Sequence, residues 1–221
     1  PRPRWIPLSP AQKRMWFLNQ YDTTSPAYNI PLTLHLTGNL DTTALEHALT
    51  DLTTRHETLR TTYPLHHGQP TQHIHPPTPH HLPTTNATET ELPHHITTDT
   101  TTGFDVTTDT PLRTHLYQLT PHHHILTLVL HHISADGHSL TPLLRDLATT
   151  YTAHTHHHTP HLTPLTIHYA DYTLWQHQLL GTTEDPHSLI TTQLHYWKNT
   201  LHTLPDLLPL PTDHPRPPQR T

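Results

Sequence analysis

The sequence has no cysteine and only five glycines in 221 residues, and charged side chains make up just 13 % of it. The lack of cysteine excludes disulfides, thiol nucleophiles and thiolate zinc sites, and says little about compartment. No apolar run approaches the roughly 18–20 residues of a membrane span, so no membrane-spanning helix is expected. No charged-then-apolar N-terminal pattern reads as a signal peptide. The 11 basic residues are outnumbered by 17 acidic ones, which argues against nucleic acid as a partner. Hydrophobic residues reach only 31 %, low enough that disorder has to be considered before a fold is assigned.

Threonine, histidine (29) and proline (25) fill the space those residues leave. Threonine is β-branched and suits half-buried strands, so its abundance does not oppose folding. Histidine makes the formal charge of −6 conditional, because the chain turns strongly positive as pH falls through 6. The apolar residues are clustered, and the length can bury a sizeable core.

Ser9-Pro10-Ala11-Gln12 predicts a capped helix running to about Tyr21, with Met15 and Leu18 among its buried side chains. Ile30 to Leu36 alternates as a strand with one buried face, and Asp41 caps a second helix to about Arg55 with Leu45, Ala48 and Leu52 inward. A hairpin is expected across His66-His67-Gly68-Gln69, and Pro76 to Glu89 reads as a surface loop. After a short helix near Leu92–Thr101 come two strands, Leu112–Leu119 and His124–His131. Ile125 to Leu130 is apolar on both faces, which places the second strand centrally in a sheet. Ser139 is expected to cap a helix to about Thr152, and two further helices are expected near 169–180 and 189–201. Residues 204–221 hold six prolines and no periodicity, and read as an extended linker after a lobe spanning 1–203.

Chemistry concentrates between the central strand and the helix after it, in His131-His132-Ile133-Ser134-Ala135-Asp136-Gly137-His138-Ser139. An imidazole there can take a proton from an amine or hydroxyl nucleophile. Gly137 offers a backbone N–H toward developing negative charge and a conformation other residues resist. Asp136 is expected to hold the loop, with Arg60 as its ion-pair partner, or to orient a histidine. In so histidine-rich a chain, most histidines are compositional; His122–His124 and His156–His158 read as loop residues rather than metal ligands.

The loop resembles the HHxxxDG motif of nonribosomal peptide synthetase condensation domains. Three further segments match that family in order: Ser9-Pro-Ala-Gln-Lys-Arg-Met-Trp-Phe-Leu18, Arg55-His-Glu-Thr-Leu-Arg-Thr-Thr-Tyr63 and Tyr169-Ala-Asp-Tyr-Thr-Leu-Trp-Gln176. Tyr196-Trp197 and the stretch 208–217 are similar to the family's approach to a second lobe. Departures include His138 where tryptophan is frequent, Tyr63 for phenylalanine and Thr173 for alanine.

The resemblance implies an α/β sandwich like a chloramphenicol acetyltransferase subunit, a mixed but largely antiparallel sheet covered by helices. It implies an acyltransferase that joins a donor thioester to an acceptor amine, both on phosphopantetheine arms of donor and acceptor peptidyl carrier proteins. It implies His132 as the catalytic residue with Gly137 as a backbone donor, and His131, Asp136 and Arg60 as structural. His138, Ser139, Tyr63 and Trp175 become substrate-tunnel candidates. No metal and no bound cofactor are expected, and the localisation implied is cytoplasmic. The chain corresponds to the N-terminal lobe, so its own C-terminal lobe and an adenylation domain are implied partners, and exposed apolar surface or self-association is expected. The Tyr169–Gly181 and Glu184–Ile190 stretches look like the subtype joining an L-donor to an L-acceptor. An epimerization domain shares the central motif, but the Ser9–Leu18 opening favours condensation; a heterocyclization domain would carry aspartate at the histidine positions. The other classes are a carrier-docking lobe without chemistry and a histidine-rich metal binder.

Overall fold

In the computed structural model, which describes residues 2–205, 211, 213 and 214, the first helix forms where its cap dictates. Strand β1 (Ile6–Pro7) leads into α1 (Pro10–Tyr21). The Ser9 hydroxyl accepts the Gln12 N–H and the Gln12 side chain accepts the Ser9 N–H, closing a reciprocal cap. The residues α1 buries are polar: Gln12 and Asn19. Asn19 donates to the Phe104 carbonyl and accepts from the Val106 N–H, while Met15 and Leu18 are only half-buried.

Strand β2 (Asn29–Thr37) turns into α2 (Thr42–Arg55), capped by Asp41, whose carboxylate accepts the Ala44 N–H at 2.9 Å. A 3-10 turn (Glu57–Arg60) and four short strands follow: β3 (Thr61–Thr62), β4 (Leu65–His66), β5 (Gln69–Ile74) and β6 (Thr84–Asn86). The β4–β5 hairpin closes through His67 and Gly68, both at positive φ (51° and 75°), the two-residue turn whose twist matches its strands. Next come α3 (Leu92–Thr101), β7 (Leu112–Thr120), β8 (His123–His131), α4 (Gly137–Thr155), α5 (Tyr169–Leu180) and α6 (Leu189–Thr200).

The main sheet has the order β2-β8-β7-β6, antiparallel except for the parallel β6–β7 pair. This is the mixed, largely antiparallel α/β architecture expected. Strand β8 has neighbours on both sides and is buried from His124 to His131, as its two apolar faces require. Helices α2 and α4 cover one face through Leu45, Leu49, Leu52, Leu143 and Leu147 against Leu116, Leu126, Leu128 and Leu130. A second cluster joins Leu8, Tyr63, Phe104, Val106, Val129 and Ile133. The remaining strands form a smaller sheet in which β5 pairs with β1, β3 and β4.

Two expectations fail here. The segment 76–89 is not wholly loop: Thr84–Asn86 adds a parallel edge strand to β7, a pairing set by tertiary context and invisible to alternation. Helix α4 is capped by Asp136 rather than Ser139 and so begins three residues earlier. The chain divides into two compact units, 1–176 and 177–221. Most of the expected linker at 204–221 lies outside the described residues. Large apolar side chains are exposed in both units, Phe17 and Trp175 in the first, Tyr196 and Trp197 in the second.

Candidate active site

Strand β8 delivers the two histidines of the motif into different environments. His131 is its last residue, paired with Asn29 on β2, and is 2 % exposed. Its Nδ1 accepts the Ile133 N–H at 3.1 Å, which fixes the proton on Nε2, and its ring lies edge-on to Phe104. Burial, reinforced by the neighbouring His132, pushes its pKa down to about 4, so it is a neutral wedge under the loop.

The chain then turns. Ser134 donates from both its N–H and its hydroxyl to the His131 carbonyl, and the His132 N–H extends the β2 pairing by donating to Tyr28 O at 2.9 Å. That turn carries the His132 side chain out of the sheet, where it is exposed; among the described residues none holds its ring by a hydrogen bond. It lines a cleft of about 370 Å³. The opposite walls are Gln12, Arg14 and Met15 from α1 and Tyr169 from α5, and the floor is Ser134 to Asp136 with Ser139. The Tyr169 hydroxyl lies 2.9 Å from Ser9 Oγ, tying the start of α5 to the cap of α1.

Asp136 has a different partner from the one expected. Its Oδ1 accepts the Ser139 N–H at 2.9 Å and the Ser139 hydroxyl at 2.7 Å, and its own N–H donates to Ser139 Oγ. The Ser139 hydroxyl bond is the largest cause holding this carboxyl below its usual value. Arg60 is not at the loop: it donates to the carbonyls of Thr53 and His75 and faces Glu57 at 3.9 Å. The residue that carries both motif-loop closure and helix start is therefore Asp136, through Ser139.

Gly137 stands at the first position of α4 without a positive φ, and a Cβ added there would meet nothing within 4 Å. The conformational reason expected for this glycine does not hold; what it presents is an unhindered helix-terminal N–H. Of the tunnel candidates only Ser139 lines the cleft. His138 is exposed beside it, Trp175 projects from α5 at 54 % exposure against Tyr172, and Tyr63 is fully buried in the second core cluster. Sequence reasoning missed Gln12, Arg14, Met15, Ser134 and Tyr169 as wall residues. All but Ser134 belong to the two flanking motifs, where they served only as markers of the fold. Among the described residues no group of three or more histidine, aspartate or glutamate side chains is placed to hold a metal ion.

Comparison with known proteins gives the class. A condensation domain family model matches residues 3–221, and the chain belongs to that family. It is 47 % identical over 219 residues to the dimodular nonribosomal peptide synthase of Bacillus subtilis, covering 98 % of this chain and 9 % of that protein. The X-domain solved in complex with OxyB from teicoplanin biosynthesis superimposes with a TM-score of 0.90 at 37 % identity, over 98 % of this chain and 48 % of that one. The starter condensation domain of rhizomide synthetase shares the fold, with a TM-score of 0.77 at 19 % identity over 91 % of this chain and 49 % of that one. The chain thus spans about half of these solved structures, whose architecture is the chloramphenicol acetyltransferase-like one. Among the described residues no helix is long and apolar enough to cross a membrane.

Proposed function

We propose that this chain is the N-terminal lobe of a peptide-bond-forming condensation domain, working with its C-terminal lobe, an adjacent adenylation domain, and donor and acceptor carrier proteins. The observation that carries the reading is the division between the two motif histidines: His131 buried and neutral beneath the loop, His132 free in the cleft above it. The acceptor amine attacks the donor thioester carbonyl; the C–N bond forms, the C–S bond breaks, and the thiolate leaves with a proton that originated on the amine. A neutral amine already attacks thioesters, so His132 orients it and relays that proton. Gly137 N–H, at the positive end of α4, faces the developing oxyanion. The motif stretches at 169–181 and 184–190 support an L-donor, L-acceptor subtype, and the reaction needs no cofactor held by this chain.

The test is peptide formation between loaded carrier proteins by the intact domain, with and without His132→Ala. A loss of about a hundredfold or more with carrier binding intact is expected; unchanged turnover sinks the assignment. The likeness to an X-domain solved with a protein partner supports a second reading, a docking lobe without chemistry. That reading predicts no turnover in either form with folded protein and retained partner binding.

A further inference from the structure

A second cavity, of about 390 Å³, opens at β7, is lined also by Thr127 and Val129 of β8, and shares no lining residue with the His132 cleft. Its position follows from sheet register. The His131 N–H bonds Pro111 O, so odd-numbered residues of β7 pair with β8 and even-numbered ones face outward. Outward groups are used farther along, where Leu116 N–H reaches Pro83 O and Gln118 O accepts from Ala87. Strand β6 covers only Leu116–Gln118, so the main chain of Thr114 faces an open edge at the cavity.

Arg113 lines this cavity. Four arginines among the described residues are half-buried, and three of them face a carboxylate within 4 Å: Arg2 with Asp171 and Glu57, Arg55 with Asp146, Arg60 with Glu57. Arg113 faces none. It stacks on Phe104 at 3.8 Å and donates to the carbonyls of Gly103 and Thr102; Asp109 and Asp99 act on its charge only from beyond ion-pair distance, and further N–H groups are unassigned. Desolvation accordingly pushes its guanidinium down from the ordinary value. Beside it His80 uses Nε2 on the Thr114 hydroxyl at 2.7 Å, leaving Nδ1 over. The one carboxylate in the cavity, Asp99, is committed: its Oδ2 accepts the Tyr117 hydroxyl at 2.7 Å and the Thr127 hydroxyl at 2.8 Å, and Oδ1 faces His115 at 3.8 Å.

We propose that this cavity is an oxyanion subsite that takes a phosphate group through Arg113, His80 and the open edge of β7. Donors arriving from a side chain, a ring and a strand edge suit a tetrahedral anion better than a planar carboxylate. The group has two sources, a free phosphate ester or the phosphate of a phosphopantetheine arm. The second source rests on the carrier-dependent function proposed above; phosphate binding itself does not.

The experiment is a titration of the 221-residue chain with inorganic phosphate, and separately with phosphopantetheine, at constant ionic strength against a chloride control. Binding is followed by the NMR signals of the Arg113 Nε–H and the Thr114 amide. Saturable shifts are expected, weakened about tenfold or more by Arg113→Lys and by His80→Gln. The lysine variant keeps the charge and loses the fork; the glutamine variant leaves the Arg113 contacts to the main chain in place, so a folding defect in one does not decide the matter. Tighter binding of phosphopantetheine assigns the arm as the source, and equal binding assigns a free ester. Shifts that do not saturate and match the chloride control overturn the proposal, as does an affinity unchanged in both variants.

Discussion

Replacing His131 by asparagine isolates one proton in the acid stability of this fold. The folded-state pKa of about 4 lies below the ordinary value of 6.5, so the unfolded chain binds this proton first as pH falls. Stability from the neutral ring is therefore fully present above 6.5 and is lost between 6.5 and 4. About 2.5 units at about 1.4 kcal/mol each gives about 3.5 kcal/mol across that window. In His131→Asn the side-chain oxygen can still accept the Ile133 N–H but never charges. The cavity left by the smaller side chain costs about 1–3 kcal/mol at pH 7. Urea unfolding at half-unit steps from pH 7 to 4.5, read by tryptophan fluorescence, should give two converging curves. The wild-type slope should exceed the variant's by close to one proton, about 1.4 kcal/mol per pH unit. The other histidines whose pKa burial lowers, among them His56, His80, His115 and His124, act in the same direction and cancel in the comparison. Parallel curves would refute the assignment of a buried neutral imidazole at His131.

Three further outcomes follow from particular contacts. The Tyr63 hydroxyl is fully buried with no well-formed hydrogen bond and only the Gln12 side chain acting on it, so Tyr63→Phe should stabilise by about 1 kcal/mol in the same urea assay. Asp146, 2 % exposed, sits 2.9 Å from both Arg55 Nε and His56 Nε2. Burial opposes its charge, but the bonds from His56 and Arg55 outweigh that and keep its carboxyl below the usual value. Asp146→Asn leaves the half-buried Arg55 guanidinium without its carboxylate and should cost about 3–5 kcal/mol, seen as a lower urea midpoint. Asp136→Ala removes the cap of α4 and should cost about 1 kcal/mol, with a loss of turnover in the intact domain larger than that stability loss explains.

The elements legible in the sequence were those whose signal is local. The reciprocal Ser9–Gln12 cap, the Asp41 cap, the leucine stripe of α2 and the two-faced apolar run of β8 each depend on residues within a turn or a strand of one another. What escaped was long-range. Thr84–Asn86 carries no alternation of its own and becomes a strand only because β7 has a free edge 32 residues later. The supposed Arg60–Asp136 pair failed for the same reason, since sequence shows two opposite charges but not that His75 and Thr53 carbonyls take the guanidinium first. At the site, the motif located His132, whereas the walls opposite it came from helices 120 residues upstream and about 40 downstream in the chain, positions whose convergence only the fold reveals.

The ring closed by Asp136 and Ser139 has a consequence for how such a cleft can change over evolution. Those two residues fix the path of the loop and the origin of α4, and His132 is fixed separately by its backbone bond to Tyr28. Between them, His138 touches the ring only through its main-chain N–H and its charge, both acting on Asp136, and its side chain makes no hydrogen bond among the described residues. The side chain at position 138 can therefore change beside the cleft while His132 keeps its place. Neighbouring residues of one short loop thus have separate moorings, and one can be edited without rewriting the other.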